Sequence, residues 1–289
     1  MSEGNDDLRF NHLIDAAELF GTLASPNRPV LLDIRFRLGG PDRRQEYLEG
    51  HIPGAVFVDL PTELAGEEKG FSGRRPLPDI RDLQRDARRW GIGQGDAVVV
   101  YDNNYGQQAA RAWWVLRWAG IKNVRLLNGG FAAWLRAGLP VSRDVALPAY
   151  GDVSLSPGNL PTLTADEASA LARSGILVDA RDAGHYQGAP REAGKPAEGH
   201  IPGSINVPTT GNLSADGLFE PSDALKQRFA AVGIDKRKRV GAYCGGGVTA
   251  THQILALATV GIDAALFPGS WSAWSSDPSR PVATGPEPQ

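Results

Sequence analysis

Cysteine is almost absent from this sequence, and that scarcity narrows the chemistry open to it. Cys244 is the single cysteine in 289 residues, so neither an internal disulfide nor a zinc site built from several cysteines can form. The five histidines, at positions 12, 51, 185, 200 and 252, are far apart and form no HxxxH pair. We therefore expect no bound metal, and no organic cofactor is required.

Excess charge of either sign and long apolar runs are also missing. Lysine and arginine number 30 against 33 acidic residues, a net charge of −3, which gives no basic field for nucleic acid. No run approaches the ~18 apolar residues of a membrane span. The first ten residues, MSEGNDDLRF, are acidic and lack the layout of a secretory signal. We expect a cytoplasmic protein that binds neither nucleic acid nor membrane.

An internal duplication is the most informative feature present. The hexapeptide EGHIPG occurs at 49–54 and again at 198–203, a spacing of 149 residues. Three further pairs of segments match in the same order: LLDIR (31–35) with LVDAR (177–181), GIGQGDAVVVYD (91–102) with GIDKRKRVGAYC (233–244), and NGGFAAW (128–134) with PGSWSAW (268–274). The chain is therefore predicted to be a tandem repeat of one domain.

The repeat defines the domain organisation and the fold class. We place the first domain at residues 1–141, a linker with three prolines at 142–163, and the second domain at 164–289. Thr164 and Glu167 are spaced as a capping box that begins a helix. Apolar runs of four or five residues alternate with amphipathic stretches that end at glycine, which predicts an α/β fold. Each domain should be a small parallel sheet with helices on both faces.

The residues around Cys244 are the strongest functional signal. Cys244 follows the predicted strand RVGAY and precedes Gly245, Gly246 and Gly247, after which Val248 and Thr249 begin a helix. Glycines allow the backbone to curl so that successive N–H groups converge on an anion, and the helix dipole acts in the same sense. We expect Gly246 to adopt a positive φ in this loop. Both effects favour a thiolate over a thiol, as a nucleophilic cysteine requires.

A lone cysteine is more often a small buried hydrophobic residue. The glycines argue against that interpretation, because glycine after a strand costs stability unless the backbone must bend tightly. At the matching place the first repeat has Asp102-Asn-Asn-Tyr-Gly, with neither a thiol nor a glycine triplet. We predict that the second domain is catalytic and the first is not.

Several cysteine chemistries can be excluded from the loop sequence. A cysteine phosphatase needs arginine six residues after the cysteine, where this chain has Ala250. A thioredoxin-type motif needs a second cysteine, and no papain-like cysteine context is present. A thiolate surrounded by amide donors remains, and it could hold a terminal sulfur as a persulfide anion.

The paired D-x-R strands, the repeated GHIPG and the loop C-G-G-G-V-T-A resemble the two-domain rhodanese family of sulfurtransferases over residues 12–276. The resemblance implies an inactive first domain, an active second domain and a persulfide carried on Cys244. It also implies that Gly245, Gly246, Gly247, Val248 and Thr249 form the substrate-binding loop. The implied substrates are a small sulfur donor, thiosulfate or 3-mercaptopyruvate, and an acceptor, cyanide or a thiol.

The loop departs from both branches of that family. Thiosulfate enzymes resemble C-R-K-G-V-T-A, with basic side chains for the sulfonate, and mercaptopyruvate enzymes resemble C-G-[ST]-G-V-T-A, with a hydroxyl for proton handling. This chain has Gly245 as in the second branch, but Gly246 lacks the hydroxyl. The donor is therefore left open between the two.

Other family positions match in part. His185 stands where the family has its first substrate-binding arginine, and Arg191 resembles the second. Asp42 and His51 match an acid and a histidine that complete a relay with the loop hydroxyl in mercaptopyruvate enzymes. Because His200 repeats His51 in the second domain, a structural role at a turn is the alternative for both histidines.

Two functions therefore fit this sequence. The leading hypothesis is a monomeric sulfurtransferase that works by double displacement through Cys244. The alternative is a persulfide carrier or regulatory module without efficient turnover, which the missing loop side chains and His185 would favour.

Overall fold

Two parallel sheets, one in each half of the chain, organise the molecule. The computed structural model describes residues 8–37, 43–188 and 198–289. The first sheet has the order β1-β5-β4-β2-β3 and the second β7-β6-β8-β9, and every pairing is parallel. The strands are β1 Leu13–Ile14, β2 Val30–Asp33, β3 Val56–Phe57, β4 Val98–Tyr101, β5 Val124–Leu127, β6 Ile176–Asp179, β7 Ile205–Asn206, β8 Val240–Tyr243 and β9 Ala264–Leu266. The predicted α/β duplication is confirmed.

Helices lie between the strands in both halves. The first half contains α1 Ala16–Leu23, α2 Arg44–Glu49, α3 Leu60–Glu63, α4 Ile80–Arg89, α5 Ala109–Trp118 and α6 Gly130–Arg136. The second half contains α7 Ala165–Ser174, α8 Ala183–Gln187, α9 Ser222–Ala231, α10 Thr249–Thr259 and α11 Ser270–Ser276. Short 3₁₀ helices occur at Leu8–Asn11 and Thr209–Asn212. The predicted capping box is present, since Thr164 and Glu167 each accept the other's backbone N–H.

The central strands are buried along their whole length, as strands covered on both faces must be. All four residues of β4 and all four of β8 are buried, which explains why their sequences are continuously apolar rather than alternating. At the end of β2, Arg35 pairs with Asp33 at 3.0 Å, and Arg181 pairs with Asp179 at 2.6 Å at the end of β6. Each of the two D-x-R segments therefore contains an ion pair.

The two domains share an apolar interface. Helix α5 of the first domain contacts α10 of the second, and one hydrophobic core runs through both domains. Trp113, Trp114 and Trp118 of α5 belong to that core. Because α10 begins at the cysteine loop and α5 begins beside the matching loop of the first domain, this interface connects the two loops.

The segment between the repeats is hydrogen-bonded along its length. Gly151 N–H donates to the Arg88 carbonyl at 2.7 Å, and Ser156 N–H donates to that of Ala119 at 3.0 Å. Leu163 N–H then donates to Leu266 at the edge of the second sheet at 2.8 Å. We propose 142–163 as the linker on this path. Within the described ranges no helix is long and apolar enough to cross a membrane, and no group of His, Cys, Asp or Glu could hold a metal ion.

Candidate active site

Cys244 lies at the carboxyl end of β8, an interior strand of the second sheet. Its side chain is buried, with 1% exposed. The loop that follows is fixed to α11, because Trp271 N–H donates to the Cys244 carbonyl and Ser272 N–H donates to that of Gly245, both at 2.9 Å. The carboxyl ends of strands are where open α/β sheets bind ligands, so the position of Cys244 fits a reactive thiol.

The backbone N–H groups of residues 245–250 have no acceptor within the described chain. Converging N–H groups at the start of a helix form a site for an anion. The described structure therefore provides a set of free donors next to the sulfur. This set matches the anion-binding loop predicted from the three glycines.

The loop at the matching place in the first domain already has an anion bound in it. Asp102 occupies the position of Cys244, and its carboxylate accepts four backbone N–H groups at 2.8 to 2.9 Å, from Asn104, Gly106, Gln108 and Ala109. These bonds lower the pKa of Asp102, but complete burial is the larger effect and raises it overall. A covalently attached carboxylate thus occupies the first loop, whereas the second holds a thiol.

The glycines of the cysteine loop have different constraints. Gly247 has a φ of +77°, and a Cβ there would lie 2.3 Å from the Pro268 carbonyl oxygen. Gly246 does not have a positive φ, and the three atoms nearest to a Cβ on it all belong to the Arg74 side chain, at 3.5 to 3.8 Å. The expectation of a positive φ at Gly246 was wrong by one residue. The tight bend is at Gly247, because there the backbone approaches Pro268.

Ser270 supports the loop from α11. Its hydroxyl accepts the Cys244 N–H at 3.2 Å, donates to the Phe267 carbonyl at 2.9 Å and lies 4.0 Å from Sγ. Ser270 has a φ of +52°, a conformation that glycine adopts far more easily. The matching residue of the first repeat is Gly130, with a φ of +58°. The second domain therefore retains a hydroxyl at a strained position.

Three arginines of the first domain approach the cysteine loop. Arg111 is fully buried, and its guanidinium donates to the Gly247 carbonyl at 3.0 Å and to the carbonyl of Leu64 at 3.1 Å. Burial lowers the pKa of Arg111 to about 10, while the Cys244 charge raises it. Burial also lowers the pKa of Arg75, with a smaller opposing effect from Cys244. Arg74 lies closest to Gly245 and Gly246. These arginines add positive charge around the sulfur.

A cavity of about 640 Å³ opens beside the loop between the two domains. Gly245, Thr249 and His185 line it, together with Arg74 and Gln107 of the first domain. A larger groove of about 980 Å³ lies elsewhere between the domains and contains no residue of the cysteine loop. We take the smaller cavity as the site because the thiol-bearing loop forms part of its wall.

The structure brings some of the predicted site residues to the cavity and places others elsewhere. The structure brings Gly245, Thr249 and His185 to the cavity, and the Nδ1 atom of His185 contacts the Asp182 carboxylate. Val248 is at the start of α10, and its carbonyl accepts the Thr251 hydroxyl at 2.6 Å.

The structure does not bring His51 to the cavity. Its ring nitrogens contact the main-chain carbonyls of Tyr47 at 2.7 Å and Asp144 at 3.1 Å. His51 stacks on Tyr47 at 3.9 Å, and His200 stacks on Tyr186 at 3.8 Å. The repeated histidine makes the same contact in each domain, as the structural alternative predicts. The remaining two site predictions, Asp42 and Arg191, lie outside the described residues.

Sequence reasoning missed Arg74, Arg75, Arg111 and Ser270. The three arginines come from the other repeat, and no local pattern marks them as part of this site. Ser270 did carry a signal, because the alignment of the repeats sets it against Gly130. A hydroxyl residue at a place where its duplicate has glycine indicates a constraint other than backbone geometry.

Comparison with known proteins agrees with this geometry. The family model for the rhodanese-like domain matches residues 16–137 and 164–277. "Putative thiosulfate sulfurtransferase SseB" of Mycobacterium tuberculosis is 47% identical over 279 residues, covering 94% of this chain and 97% of that protein. "Probable 3-mercaptopyruvate sulfurtransferase" of Pseudomonas aeruginosa is 42% identical over 288 residues, covering 94% and 98%.

A solved structure with the same architecture is that of SseA from Escherichia coli, described among the 3-mercaptopyruvate sulfotransferases. It matches with a TM-score of 0.78 and 29% identity, and the match covers 90% of this chain and 98% of that one. The duplicated domain, the thiol at the strand end and these relatives agree. This chain belongs to the rhodanese family and is a sulfurtransferase.

Proposed function

We propose that Cys244 is the nucleophile and carries the transferred sulfur as a persulfide. The observation that supports this most strongly is the pair of matching loops. In the first domain the loop binds a carboxylate with four N–H groups, and in the second the N–H groups of residues 245–250 have no acceptor within the described chain and follow a thiol. A terminal persulfide is an anion at the end of the cysteine side chain, so these donors suit it.

With thiosulfate as donor, the Cys244 thiolate attacks the outer sulfur atom. A new Sγ–S bond forms, the S–S bond of thiosulfate breaks, and its electron pair leaves with sulfite. The total charge is the same on both sides, and no proton moves. The loop N–H groups and the nearby arginines stabilise the negative charge on the sulfur atoms as it redistributes.

With 3-mercaptopyruvate, the same attack breaks a carbon–sulfur bond. The electron pair goes to carbon and gives the enolate of pyruvate, which must then take up a proton. Gly246 supplies neither a hydroxyl for that proton nor a cation for a sulfonate. We therefore expect activity with both donors and no extreme preference between them.

The second displacement returns the enzyme to its starting state. Cyanide or a thiolate attacks the terminal sulfur, the Sγ–S bond breaks, and Cys244 leaves as a thiolate. Backbone donors of Gly245, Gly246, Gly247, Val248 and Thr249 would hold the sulfur throughout, with His185 at the cavity wall. Substrate roles for Arg191, Asp42 and His51, the monomeric state and the cytoplasmic location stay predictions.

Steady-state kinetics with the two donors tests this proposal. Thiosulfate and 3-mercaptopyruvate are compared at matched concentrations, with cyanide and then with a small thiol as acceptor. We expect ping-pong kinetics with both donors, because the persulfide enzyme separates the two displacements. Intersecting kinetics, which require both substrates to be bound together, would contradict a free persulfide intermediate.

The carrier function is the second candidate. Residues 245 and 246 are both glycine and have no side chain with which to bind a small sulfur donor. A carrier would accept sulfur from a partner protein and would turn over small donors poorly. A kcat/KM far below the ~10⁴ M⁻¹s⁻¹ that is common for enzymes, together with normal formation of the persulfide, would favour the carrier.

A further inference from the structure

A loop of the first domain is packed against the cysteine loop of the second. Gly73 has a φ of +82°, and a Cβ on it would lie 2.4 Å from the Gly269 carbonyl oxygen. Directly after it, Arg74 N–H donates to the Ser272 hydroxyl at 3.0 Å. Any side chain at position 73 would force the two backbones apart. The main chain of Arg74 is therefore held in place by the second domain.

The Arg74 side chain lies beside the two glycines that follow Cys244. Its Nη2 atom is 3.3 Å from the position that a Cβ of Gly245 would occupy, and its Nε atom is 3.5 Å from that of Gly246. Within the described residues, no other atom beyond the chain neighbours lies within 4 Å of the Gly245 position, and the three atoms nearest to the Gly246 position all belong to Arg74. The space left by the two absent side chains is thus bordered by one guanidinium.

Among the residues that the structure describes, this guanidinium has no acceptor, whereas other cations near the cavity are paired or hydrogen-bonded. Arg181 is paired with Asp179 and Glu198, and Arg111 is hydrogen-bonded to main-chain carbonyls. Within the described ranges, Arg74 has neither an ion pair nor a side-chain hydrogen bond. It lines the same cavity as Gly245 and Thr249.

We propose that Arg74 binds the anionic group of the sulfur donor and so determines which donors this site accepts. The inference rests on the proposed function, because it concerns the donor that reaches Cys244. Thiosulfate carries its sulfonate one bond away from the sulfur that Cys244 attacks, which places that charge next to Gly245 and Arg74. A planar guanidinium with several donors is well suited to a sulfonate or a carboxylate. Because Arg74 belongs to the first domain, that domain would take part in binding the donor.

Glu68 also lines the cavity, as do Asp182 and Glu198, so an anionic donor meets negative charge as well. Asp182 contacts His185, and Glu198 is paired with Arg181. Without the charge of Arg74, an anionic donor would approach these carboxylates with no unpaired guanidinium of the described residues to attract it. The selectivity of the site for anions should therefore fall steeply with that one substitution.

Alkylation of Cys244 by two reagents of different charge tests this without requiring turnover. Iodoacetate is an anion and iodoacetamide is neutral, so the ratio of their rates reports attraction of anions, and any change in thiolate content cancels. In Arg74→Gln we expect the ratio to fall about tenfold, as for loss of one charge-assisted hydrogen bond. Arg74→Lys should retain most of the ratio. The control is Arg81→Ala, an exposed arginine of the same domain that does not line the cavity.

Kinetics with sulfur donors provides the second measurement. In Arg74→Gln the KM for thiosulfate should rise about tenfold, more than that for 3-mercaptopyruvate, which carries one charge fewer. Adding Gly246→Lys to Arg74→Gln should recover part of the loss, since the new side chain enters the space that Arg74 bordered. An alkylation ratio in Arg74→Gln equal to that of wild type would overturn the proposal. Absence of a persulfide on wild-type Cys244 would instead reject the proposed function, whatever the ratio.

Discussion

The Arg111 guanidinium of the first domain donates to the carbonyl of Gly247 in the second at 3.0 Å. The same side chain donates to the carbonyls of Leu64, Arg75 and Pro76. One buried cation thus connects the cysteine loop with the chain segment that carries Arg74. The first domain thus contributes a direct contact that helps to hold the cysteine loop in place.

Replacing Arg111 should disturb that loop. Arg111→Met removes the guanidinium from four carbonyls, of which, among the described residues, only that of Pro76 keeps another donor, the Gly66 N–H. We expect a loss of about 2–4 kcal/mol in the free energy of unfolding. The free energy of unfolding of Arg111→Lys should lie between those of wild type and Arg111→Met. At a temperature where circular dichroism shows each variant to be folded, the alkylation rate of Cys244 by neutral iodoacetamide should decrease in the order Arg, Lys, Met. Equal rates would show that Arg111 stabilises the protein without positioning the loop.

Alanine should have very different effects on activity at two neighbouring glycines, Gly247 and Gly246. Gly247→Ala introduces a Cβ at a φ of +77° and 2.3 Å from the Pro268 oxygen, so the loop must shift and sulfur transfer should fall at least about a hundredfold. Gly246→Ala adds a Cβ whose nearest neighbours belong to the movable Arg74 side chain, at 3.5 Å or more, and activity should stay within about threefold of wild type. Steady-state assays of both variants check this. The reverse order of activity would place the constraint at position 246.

Two substitutions at Ser270 separate its hydroxyl from its strained backbone. Ser270→Ala and Ser270→Gly both remove the acceptor of the buried Cys244 N–H, so both should load sulfur more slowly by a similar factor of about ten. Only glycine relieves the strain of the positive φ, so Ser270→Gly should be more stable than Ser270→Ala by about 1 kcal/mol. Urea unfolding and single-turnover loading measure the two effects. Wild-type loading in Ser270→Ala would mean that the hydroxyl does not position Cys244.

Acid should destabilise the fold through His252 on α10. This histidine is fully buried, its Nδ1 lies 2.7 Å from the Thr209 hydroxyl, and burial lowers its pKa to about 4. Below about pH 6.5 the unfolded chain binds a proton that the folded chain does not, so the stabilising contribution is complete above that pH. It is lost as the pH falls towards the folded value.

The comparison with His252→Asn isolates this contribution. Between pH 7.5 and pH 5 the wild type should lose about 2 kcal/mol more than the variant in the free energy of unfolding. Burial raises the pKa of Asp33 to about 6, which has the opposite effect on stability, but Asp33 is present in both proteins and cancels. Parallel urea-unfolding curves at the two pH values make the measurement. Equal losses would mean that His252 is protonated in the folded state at pH 5.

The parts of this molecule that could be predicted from sequence are those specified locally or by the repeat. The strands around Asp33 and Asp179 follow from short apolar runs, and the Thr164 cap follows from its spacing to Glu167. Cys244 and its glycines are contiguous, so their order along the chain predicted a strand, a loop and a helix. The duplication also predicted that Asp102 would occupy the position of the thiol.

The contribution of the first domain to the site could not be predicted in this way. Arg111 is 136 residues from Gly247, and Arg74 is 198 residues from Ser272. No periodicity relates residues that meet only when two folded repeats pack together. The position of the tight bend also required the structure, because three consecutive glycines look alike in sequence and only the contact with Pro268 distinguishes Gly247.

The most direct test of a persulfide on Cys244 is the intact mass of the protein after incubation with thiosulfate and removal of excess donor. The wild type should gain the mass of one sulfur atom, peptide mapping should assign it to Cys244, and cyanide should remove it. Cys244→Ser should gain nothing and should not consume donor. If Cys244→Ser consumed thiosulfate at the wild-type rate, or if the added sulfur were found on another residue, Cys244 would not be the sulfur carrier.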